Sequence, residues 1–574
     1  MSTVESLKSI WYDLYGRSGD DTLASFLAYL DDFKKANQIQ PQQPGWYKEA
    51  IVYSLYVDLF SENFQGLRQR LDYLENLGVN CIWLLPVLDS PMRDAGFDIR
   101  DYTKIRGDLL GLPLQSSNDE KIAVFRDFLD DAHSRNIRVI FDIAMNHTSE
   151  EHLWFVEAKK GKDNPFREFY IWSNDDKLYQ DARIIFKGME TSNWEPLGDE
   201  YFFHRFFSFQ PDLNYRNPQV LIEMSKNLLY WLNIGVDGFR VDAIPYLWKE
   251  EGTDCENLPQ THAIVKFFRA VVDTVRPHTL LLAEACQKPA EVVKYFGSGD
   301  ECHAGYHFPL MPQIFKSMAM ENREPVRQTL SPEVTPQIPE NAQWFTFLRC
   351  HDELSLELVY VSEEDRAYIH KNYCHDPQWD FRRGEGISAR LAELMHRNPD
   401  KIALIYSIML TLPGTPIIYY GDEYGKLNDH AYYAEKIKET GKDDTRFLVR
   451  GRMDWEQIEK DLQTQDSFSA KVFEKISRMV RMRKNYHVFG HGVIHWLDPL
   501  KPEGGLNHSV LAYIRKSETQ QLLILQNLSP QTQECRLKIQ PEIIWVDLFG
   551  KRADYDEKLQ TLKLKPYQYL WIKL

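Results

Sequence analysis

Eight short apolar runs, separated by longer segments with helical periodicity, recur between about residues 50 and 420. Such runs are typical of strands buried on both faces, and their alternation with helices is typical of a parallel sheet covered by helices. Eight parallel strands can close into a barrel, so the pattern predicts an α/β protein with a (β/α)8 or TIM barrel. The predicted strands are 51–57, 79–86, 137–143, 237–242, 279–284, 303–308, 345–350 and 416–420.

Three segments depart from this alternation. The interval after the third strand is rich in aromatic and turn residues, which predicts a subdomain inserted in a loop of the barrel. The end of the chain changes to short alternating runs such as 543–548 (IIWVDL), which predict a β-sandwich. The predicted units are an N-terminal helical extension over 1–46, the barrel over 47–147 and 209–486, the inserted subdomain over 148–208 and the C-terminal β-sandwich over 487–574.

Charge and composition exclude several classes of partner. The formal net charge is -16, and Lys and Arg do not gather into a long basic run, so we expect no nucleic-acid partner. The N-terminus has no basic segment followed by an apolar one, and no stretch of about 18 apolar residues occurs, so we expect neither secretion nor membrane insertion. The 7 cysteines form no Cys-x-x-Cys pair, and an odd number leaves at least one unpaired, which favours a reducing cytoplasm.

Polar residues close four of the predicted strands, at the end of a barrel where active sites lie. Each carboxylate could cap a following helix, but several unpaired carboxylates converging on one barrel mouth would be costly without a function. Two facing carboxylates suit glycoside chemistry, in which one attacks the anomeric carbon and the other protonates the leaving oxygen. These strand-end residues are Asp142, Asn146, His147, Arg240, Asp242, Glu284, His351 and Asp352.

The same strand ends resemble the four signature regions of the α-amylase family of glycoside hydrolases. Supporting segments 210–214 (QPDLN) and 414–423 (GTPIIYYGDE) also match, and the resemblance covers nearly all of residues 47–574. Four motifs in the family's order make the resemblance very specific. The four runs are 142–147 (DIAMNH), 238–242 (GFRVD), 281–284 (LLAE) and 348–352 (LRCHD).

The resemblance implies a retaining mechanism through a covalent β-glucosyl-enzyme intermediate. It assigns Asp242 as the nucleophile, Glu284 as the general acid/base and Asp352 as the residue that stabilises the transition state. Arg240 lies two residues before Asp242 on one strand and hence on the same face, so we expect its charge to lower the pKa of that carboxylate. The substrate-binding residues that the resemblance implies are Asp94, Phe97, His147, Arg240, His351 and Arg450.

The pocket for the first glucose is predicted from two separate segments. Asp94-Ala95-Gly96-Phe97 stands where the family often has Asp-x-Gly-Tyr, and Phe97 keeps the stacking face of that Tyr without its hydroxyl. We expect Arg450 to pair with Asp94 and wall off the pocket, which would limit the enzyme to terminal glucosyl units.

Other segments resemble one group within the family, the trehalose synthases, which interconvert maltose and trehalose in one closed site. The chain departs from that group at 450–455 (RGRMDW), where the group has Arg-Thr-Pro-Met-Gln-Trp, and 429–446 looks closer to amylosucrases. An α-glucosidase or amylase-type hydrolase and a sucrose-active transglucosylase therefore stay open, as does an inactive sugar-binding barrel. The segments that resemble trehalose synthases are 168–186, 192–194, 201–215 and 301–312.

No cofactor and no metal are expected. The acidic calcium-like loop that usually follows the first strand of trehalose synthases is absent, and Phe60-Ser61-Glu62-Asn63 leads straight into a helix. Asn146 and Asp212 could bind calcium as in amylases, but no set of six or more oxygen ligands is evident. The expected partner is a small α-glucoside such as maltose or trehalose.

Overall fold

The barrel predicted from the apolar runs is closed. A computed structural model describes residues 3–113, 115–539 and 545–574. Its eight parallel strands are ordered β1-β8-β7-β6-β5-β4-β3-β2 around the barrel, and every predicted run overlaps an observed strand. The strands are β1 (Val52–Leu55), β2 (Cys81–Leu84), β3 (Arg138–Ala144), β4 (Gly238–Asp242), β5 (Leu280–Ala283), β6 (Ala304–Tyr306), β7 (Gln343–Phe347) and β8 (Thr415–Tyr419).

The helices around the barrel form where the sequence supplies both caps and an apolar stripe. Helix Pro218–Ile234 begins after Asn217, whose side chain accepts a hydrogen bond from the Gln219 amide, and ends at Gly235 with a positive φ of 120°. Its apolar stripe is buried, so the helix packs by that face on the barrel; the stripe consists of Val220, Leu221, Met224, Leu228, Trp231 and Leu232. The other long helices of the barrel are Asn118–Ser134, Pro259–Val275, Leu310–Met320, Pro399–Thr411 and Phe468–Lys484.

Shorter helices complete the outer layer, and the N-terminal segment adds two more. Helices Thr3–Tyr15 and Asp20–Asn37 pack on the barrel, where Trp11 lies with its ring centroid 5.9 Å from that of Phe267. The shorter helices are Val57–Ser61, Phe64–Gln69, Leu71–Leu77, Leu153–Ala158, Pro289–Val292, Glu324–Thr329, Glu363–Tyr373, Leu391–Leu394, His430–Thr440, Trp455–Gln463 and Val488–His491.

The loops at the carboxyl ends of the strands carry small sheets. After β3, a three-stranded antiparallel sheet packs around Trp194 and Phe203. A hairpin follows β2, and a second three-stranded sheet follows β7. The strands of these loops are Leu88–Asp89, Asp101–Ile105, Trp172–Ser173, Trp194–Leu197, Glu200–Phe203, Leu354–Ser355, Asp380–Phe381 and Gly386–Ile387.

The C-terminal region is a β-sandwich of two antiparallel sheets that share a core containing Val510, Leu523 and Leu564. Of the predicted run 543–548, residues 543 and 544 lie outside the described residues, while Val546 and Asp547 form isolated bridges. Within the described part of the chain, no helix combines the length and apolar character needed to cross a bilayer. The sheets contain Val493–Trp496, Val510–Lys516, Gln521–Asn527 and Tyr569–Lys573, and Gln533–Cys535, Asp554–Asp556 and Thr561–Leu564.

Candidate active site

All nine residues predicted to form the site line one cavity of about 430 Å³ at the carboxyl ends of the barrel strands. The barrel supplies the floor, and loop residues around Phe186, Phe206 and Arg382 supply the walls. Because these walls come from loops after different strands, the cavity exists only when the barrel is closed. The nine residues are Asp94, Phe97, His147, Arg240, Asp242, Glu284, His351, Asp352 and Arg450.

Arg240 stands at the centre of a group of carboxylates. Strands β3 and β4 pair in a register that sets Asp142 beside Arg240 and Ala144 beside Asp242. The guanidinium Nη1 donates to Asp142 Oδ1 at 2.8 Å and to Asp242 Oδ1 at 2.5 Å, and Nη2 lies 3.9 Å from Glu284 Oε1. One buried cation therefore binds Asp142 and Asp242 and lies close to Glu284.

Burial shifts the pKa of Asp242 in the direction opposite to the one predicted from the sequence. It raises the pKa of Asp242 well above its usual value, and the positive charge of Arg240 opposes that rise without cancelling it. Burial also raises the pKa of Asp142 to about 6, although Asp142 accepts hydrogen bonds from Arg240 and from Trp83 Nε1. Arg240 thus lowers the pKa of Asp242 as expected, but burial outweighs this effect and the pKa is raised overall.

Glu284 is oriented by the strained end of the neighbouring strand. Ala243 follows Asp242 with a positive φ of 56°, and its amide donates to Glu284 Oε2 at 3.2 Å. The turn that ends β4 therefore positions both predicted catalytic groups, one through its last side chain and the other through the next amide.

Asp352 is held by two arginines from one short segment, the 3₁₀ helix Thr445–Val449 and the residue after it. Arg450 Nη2 lies 2.8 Å from Asp352 Oδ1 and Arg446 Nη1 lies 3.2 Å from the same oxygen. Burial works against ionisation of this carboxylate, but the adjoining His351 and the two guanidiniums hold its pKa well below the usual range. Asp352 is therefore a fixed negative charge in the cavity.

The predicted ion pair between Asp94 and Arg450 is wrong. Arg450 is committed to Asp352 and to the backbone oxygen of His351, at 2.7 Å from Nε, whereas Asp94 Oδ2 accepts from Gln210 Nε2 at 2.9 Å. The guanidiniums of Arg446 and Arg450, four residues apart, both contact Asp352. Burial raises the pKa of the Asp94 carboxyl to about 6. Sequence reasoning missed Arg446, although its spacing from Arg450 was a usable signal.

The two histidines and Phe97 all line the cavity. His147 Nε2 is 3.3 Å from Gln210 Nε2, and the Phe97 ring stacks on His351 with centroids 6.0 Å apart. Burial lowers the pKa of His147 to about 4 and that of His351 to about 3, so both rings are neutral near pH 7. Neutral imidazoles can both donate and accept hydrogen bonds, as recognition of sugar hydroxyls requires.

Lys249 fills the position where the sequence offered calcium ligands. Its ammonium lies 2.8 Å from Asn146 Oδ1 and 2.7 Å from Asp212 Oδ2, with all three side chains buried. The positive charge that a cation would supply between these oxygens is supplied here by the chain itself. Sequence reasoning missed this residue because nothing in the local sequence marks it.

The closed barrel and the carboxylate-lined cavity at its strand ends define a barrel enzyme of the glycosidic-bond class. Residues 29–492 match the catalytic domain of α-amylase, and residues 506–571 match the C-terminal domain of maltogenic amylase. The chain belongs to the α-amylase family and is a trehalose synthase-like member of it.

Curated relatives support this membership over most of their length. The chain is 41% identical over 542 residues to the trehalose synthase/amylase TreS of Mycobacterium tuberculosis, covering 89% of this chain and 86% of that protein. It is 38% identical over 575 residues to the trehalose synthase of Pimelobacter, covering 93% and 96%. The crystal structure of the α-amylase from H. orenii superimposes with a TM-score of 0.69 at 23% identity, over 92% of this chain and 99% of that one, which speaks for the fold alone.

Proposed function

We propose that this enzyme interconverts maltose and trehalose with retention of configuration at the transferred glucose. The observation that carries the proposal is the convergence of the predicted catalytic and binding residues on one cavity walled by loops that follow different barrel strands. A cavity of about 430 Å³ suits a disaccharide better than a polymer. The relatives named trehalose synthase add support, since their alignments cover 89% and 93% of this chain.

The chemistry that we propose divides into two displacements. In the first, the Asp242 carboxylate attacks the anomeric carbon of the terminal glucose while the Glu284 carboxyl donates its proton to the glycosidic oxygen. The bond to the second glucose breaks and a β-glucosyl ester forms on Asp242. In the second, Glu284 takes a proton from a hydroxyl of the freed glucose, whose oxygen attacks the anomeric carbon from the face opposite Asp242, and the bond to the Asp242 oxygen breaks to release the carboxylate. Attack by the anomeric hydroxyl yields trehalose, and attack by the 4-hydroxyl restores maltose.

The remaining cavity residues are proposed to hold the transferred glucose. Asp352, kept ionised by its two arginines, accepts hydrogen bonds from ring hydroxyls and stabilises the positive charge that develops at the anomeric carbon. His147, His351 and Asp94 bind other hydroxyls, and the face of Phe97 packs against the sugar ring. The second glucose must stay in the cavity between the two displacements, because its loss would convert transfer into hydrolysis.

Separate incubations with maltose, trehalose, sucrose and soluble starch, read by NMR, test this function. We expect trehalose from maltose and maltose from trehalose, with free glucose as a minor product. Isotope-labelled free glucose added to the maltose reaction should enter trehalose only slightly, because the freed unit does not leave the cavity. Glucose as the main product from maltose, with no trehalose, would contradict the proposal.

A second candidate function is hydrolysis of α-glucans, which the combined name of the relatives, trehalose synthase/amylase, favours. The starch incubation distinguishes the two activities. Rapid release of oligosaccharides from soluble starch together with slow conversion of maltose would identify the hydrolase.

We also propose the unit boundaries predicted above, with catalysis in 47–147 and 209–486 and the cavity wall in 148–208. A reducing cytoplasm is proposed as the compartment, since none of the seven cysteines forms a disulfide in the structure. Cell fractionation tests the compartment, and recovery of activity from the culture medium would contradict it.

A further inference from the structure

A histidine, a cysteine and an aspartate meet outside the catalytic cavity, behind one of its walls. His370 lies on helix Glu363–Tyr373, Cys374 follows the last residue of that helix, and Asp380 begins the strand Asp380–Phe381. One ligand atom from each of the three side chains lies within 4.8 Å of the other two. His370 Nε2 and Asp380 Oδ1 are already 2.8 Å apart.

We propose that His370, Cys374 and Asp380 bind a zinc ion. An imidazole nitrogen, a thiolate and a carboxylate oxygen together are the ligand types that zinc prefers, and three protein ligands with one water complete its tetrahedron. In such a site the ligand atoms lie about 3.3–3.8 Å apart, given metal–ligand distances of about 2.0–2.3 Å. Binding therefore requires His370 Nε2 and Asp380 Oδ1, now 2.8 Å apart, to separate by about 0.5 Å.

Backbone hydrogen bonds position the three proposed ligands. His370 and Cys374 are four residues apart, so they share one face at the end of the helix, and the Cys374 amide donates to the His370 oxygen at 2.8 Å. Asp380 is held in the tight loop that leads to Gly386, where the Gly384 amide donates to Asp380 Oδ1 at 2.8 Å. The His370 and Asp380 side chains are each 32% exposed, so an ion can reach them from solvent.

Binding replaces two hydrogen bonds, that between His370 and Asp380 and that from the Cys374 thiol to the Asp376 oxygen, and releases one proton. The ion takes the place of the contact between His370 and Asp380 and displaces the proton of the Cys374 thiol, which passes to the buffer. Zinc affinity should therefore rise with pH across the neutral range, because fewer protons compete for the sulfur.

The site is connected to the catalytic cavity through the residues that follow Asp380. Phe381 and Arg382 line the cavity, and the guanidinium carbon of Arg446, which holds Asp352, lies 5.5 Å from the centre of the Phe381 ring. A metal bound to Asp380 would fix the loop at 380–387 against the helix. Zinc is therefore expected to stiffen the cavity wall on the side of Asp352.

The test is zinc titration of the full-length, chelator-treated protein by calorimetry, with cobalt as a spectroscopic substitute. We expect one zinc per chain, a thiolate-to-cobalt charge-transfer band in the near ultraviolet, and slower hydrogen exchange over 380–387 with zinc. Cys374→Ser should abolish the band, and His370→Gln and Asp380→Asn should each weaken zinc binding at least tenfold. The matched control is His508→Gln, a half-exposed histidine in the C-terminal region, which should bind like wild type.

Two results would overturn the proposal. One is absence of stoichiometric zinc binding by the wild-type chain. The other is wild-type affinity in Cys374→Ser together with an unchanged cobalt spectrum, which would place the metal elsewhere. Circular dichroism of each variant confirms that the chain is folded, and the proposed conversion of maltose is measured separately, so failure of one proposal leaves the other intact.

Discussion

Arg240 is the residue on which the proposed chemistry depends most directly. It is buried, and it contacts Asp142 and Asp242 while lying near Glu284. A guanidinium keeps its charge at every accessible pH, so it can anchor carboxylates that burial would otherwise keep protonated. The balance between burial and the charge of Arg240 sets whether Asp242, the proposed nucleophile, is ionised.

Replacing that nucleophile is the first prediction at the residue scale. Asp242→Asn should lower kcat by about four orders of magnitude or more, because an amide cannot form the glycosyl ester. Folding raises the pKa of Asp242, so the ionised carboxylate costs stability as pH rises, and Asn removes that cost. We therefore expect the Tm of the variant at pH 8 to equal or exceed that of wild type. Retained turnover would rule out Asp242 as the nucleophile.

The pH dependence of activity supplies the second prediction. Attack requires ionised Asp242, and burial raises its pKa, so kcat/KM should fall as pH decreases through a midpoint well above the usual aspartate value of about 4. Asp142, whose pKa burial raises to about 6, becomes protonated as the pH falls below about 6 and weakens the hold on Arg240. A pH profile of kcat/KM for maltose measures this limb. A midpoint near 4 would show that Arg240 outweighs burial.

Among the elements, the segment from Thr445 to Arg450 performs the most specific task, since it directs two guanidiniums at Asp352. Arg450→Ala should lower kcat/KM by about 100-fold or more, the scale for removing one group that fixes charge around the transition state. It should also raise the share of glucose released from maltose as water enters. Arg450→Lys should restore only part of the activity, because an ammonium cannot reproduce the fork that contacts His351 and Asp352.

The control for this segment is Arg452→Ala, since the Arg452 side chain is 55% exposed and pairs with Glu435 on the surface. Its product ratio should match wild type. An unchanged ratio of glucose to trehalose in Arg450→Ala would show that the ion pair between Arg450 and Asp352 does not influence the share of transfer over hydrolysis.

The second prediction at the scale of elements concerns Lys249. Its ammonium contacts Asn146, just after β3, and Asp212 in the loop that follows. Lys249→Met leaves Asp212 buried without its cation, which should lower the free energy of unfolding by about 3–5 kcal/mol. Urea denaturation at pH 7 measures the loss. The matched control, Lys226→Met, removes a partly exposed pair with Glu223 and should cost about 1 kcal/mol or less. Equal losses in the two variants would contradict the structural role of Lys249.

At the scale of the whole molecule, the C-terminal sheets and the barrel share one core. Leu511, Tyr513 and Ile524 belong to the same buried cluster as the barrel residues, and Trp571 Nε1 donates to Ser407 Oγ at 2.9 Å. Arg515 is buried with its guanidinium on backbone oxygens, including that of Thr411 at 2.6 Å. Removal of the sheets would expose this apolar face to water.

We therefore expect heat to unfold the protein in a single calorimetric transition, since one face of the C-terminal sheets belongs to the core of the barrel. A chain that ends at residue 491 should aggregate or lack a cooperative transition. Size-exclusion chromatography and calorimetry of that truncated chain measure the effect. A soluble, monomeric and active truncated barrel would contradict the prediction.

The sequence by itself determined the architecture and the membership of the site. Eight apolar runs were enough to predict the barrel, because strands buried on both faces need apolar residues at nearly every position. The polar residues that close those runs had to meet, since parallel strands of a barrel end at one rim. For this reason all nine predicted residues line the same cavity.

Only the tertiary structure decided the pairing and the proton affinity of those residues. Arg450 contacts Asp352 rather than Asp94, and the Lys249 ammonium lies between Asn146 and Asp212, because such contacts join residues far apart in the chain. The raised pKa of Asp242 likewise follows from burial, which outweighs a charge two residues away. Pair energies in a low-dielectric interior depend on distance and desolvation, and neither quantity is encoded by residue type or spacing alone.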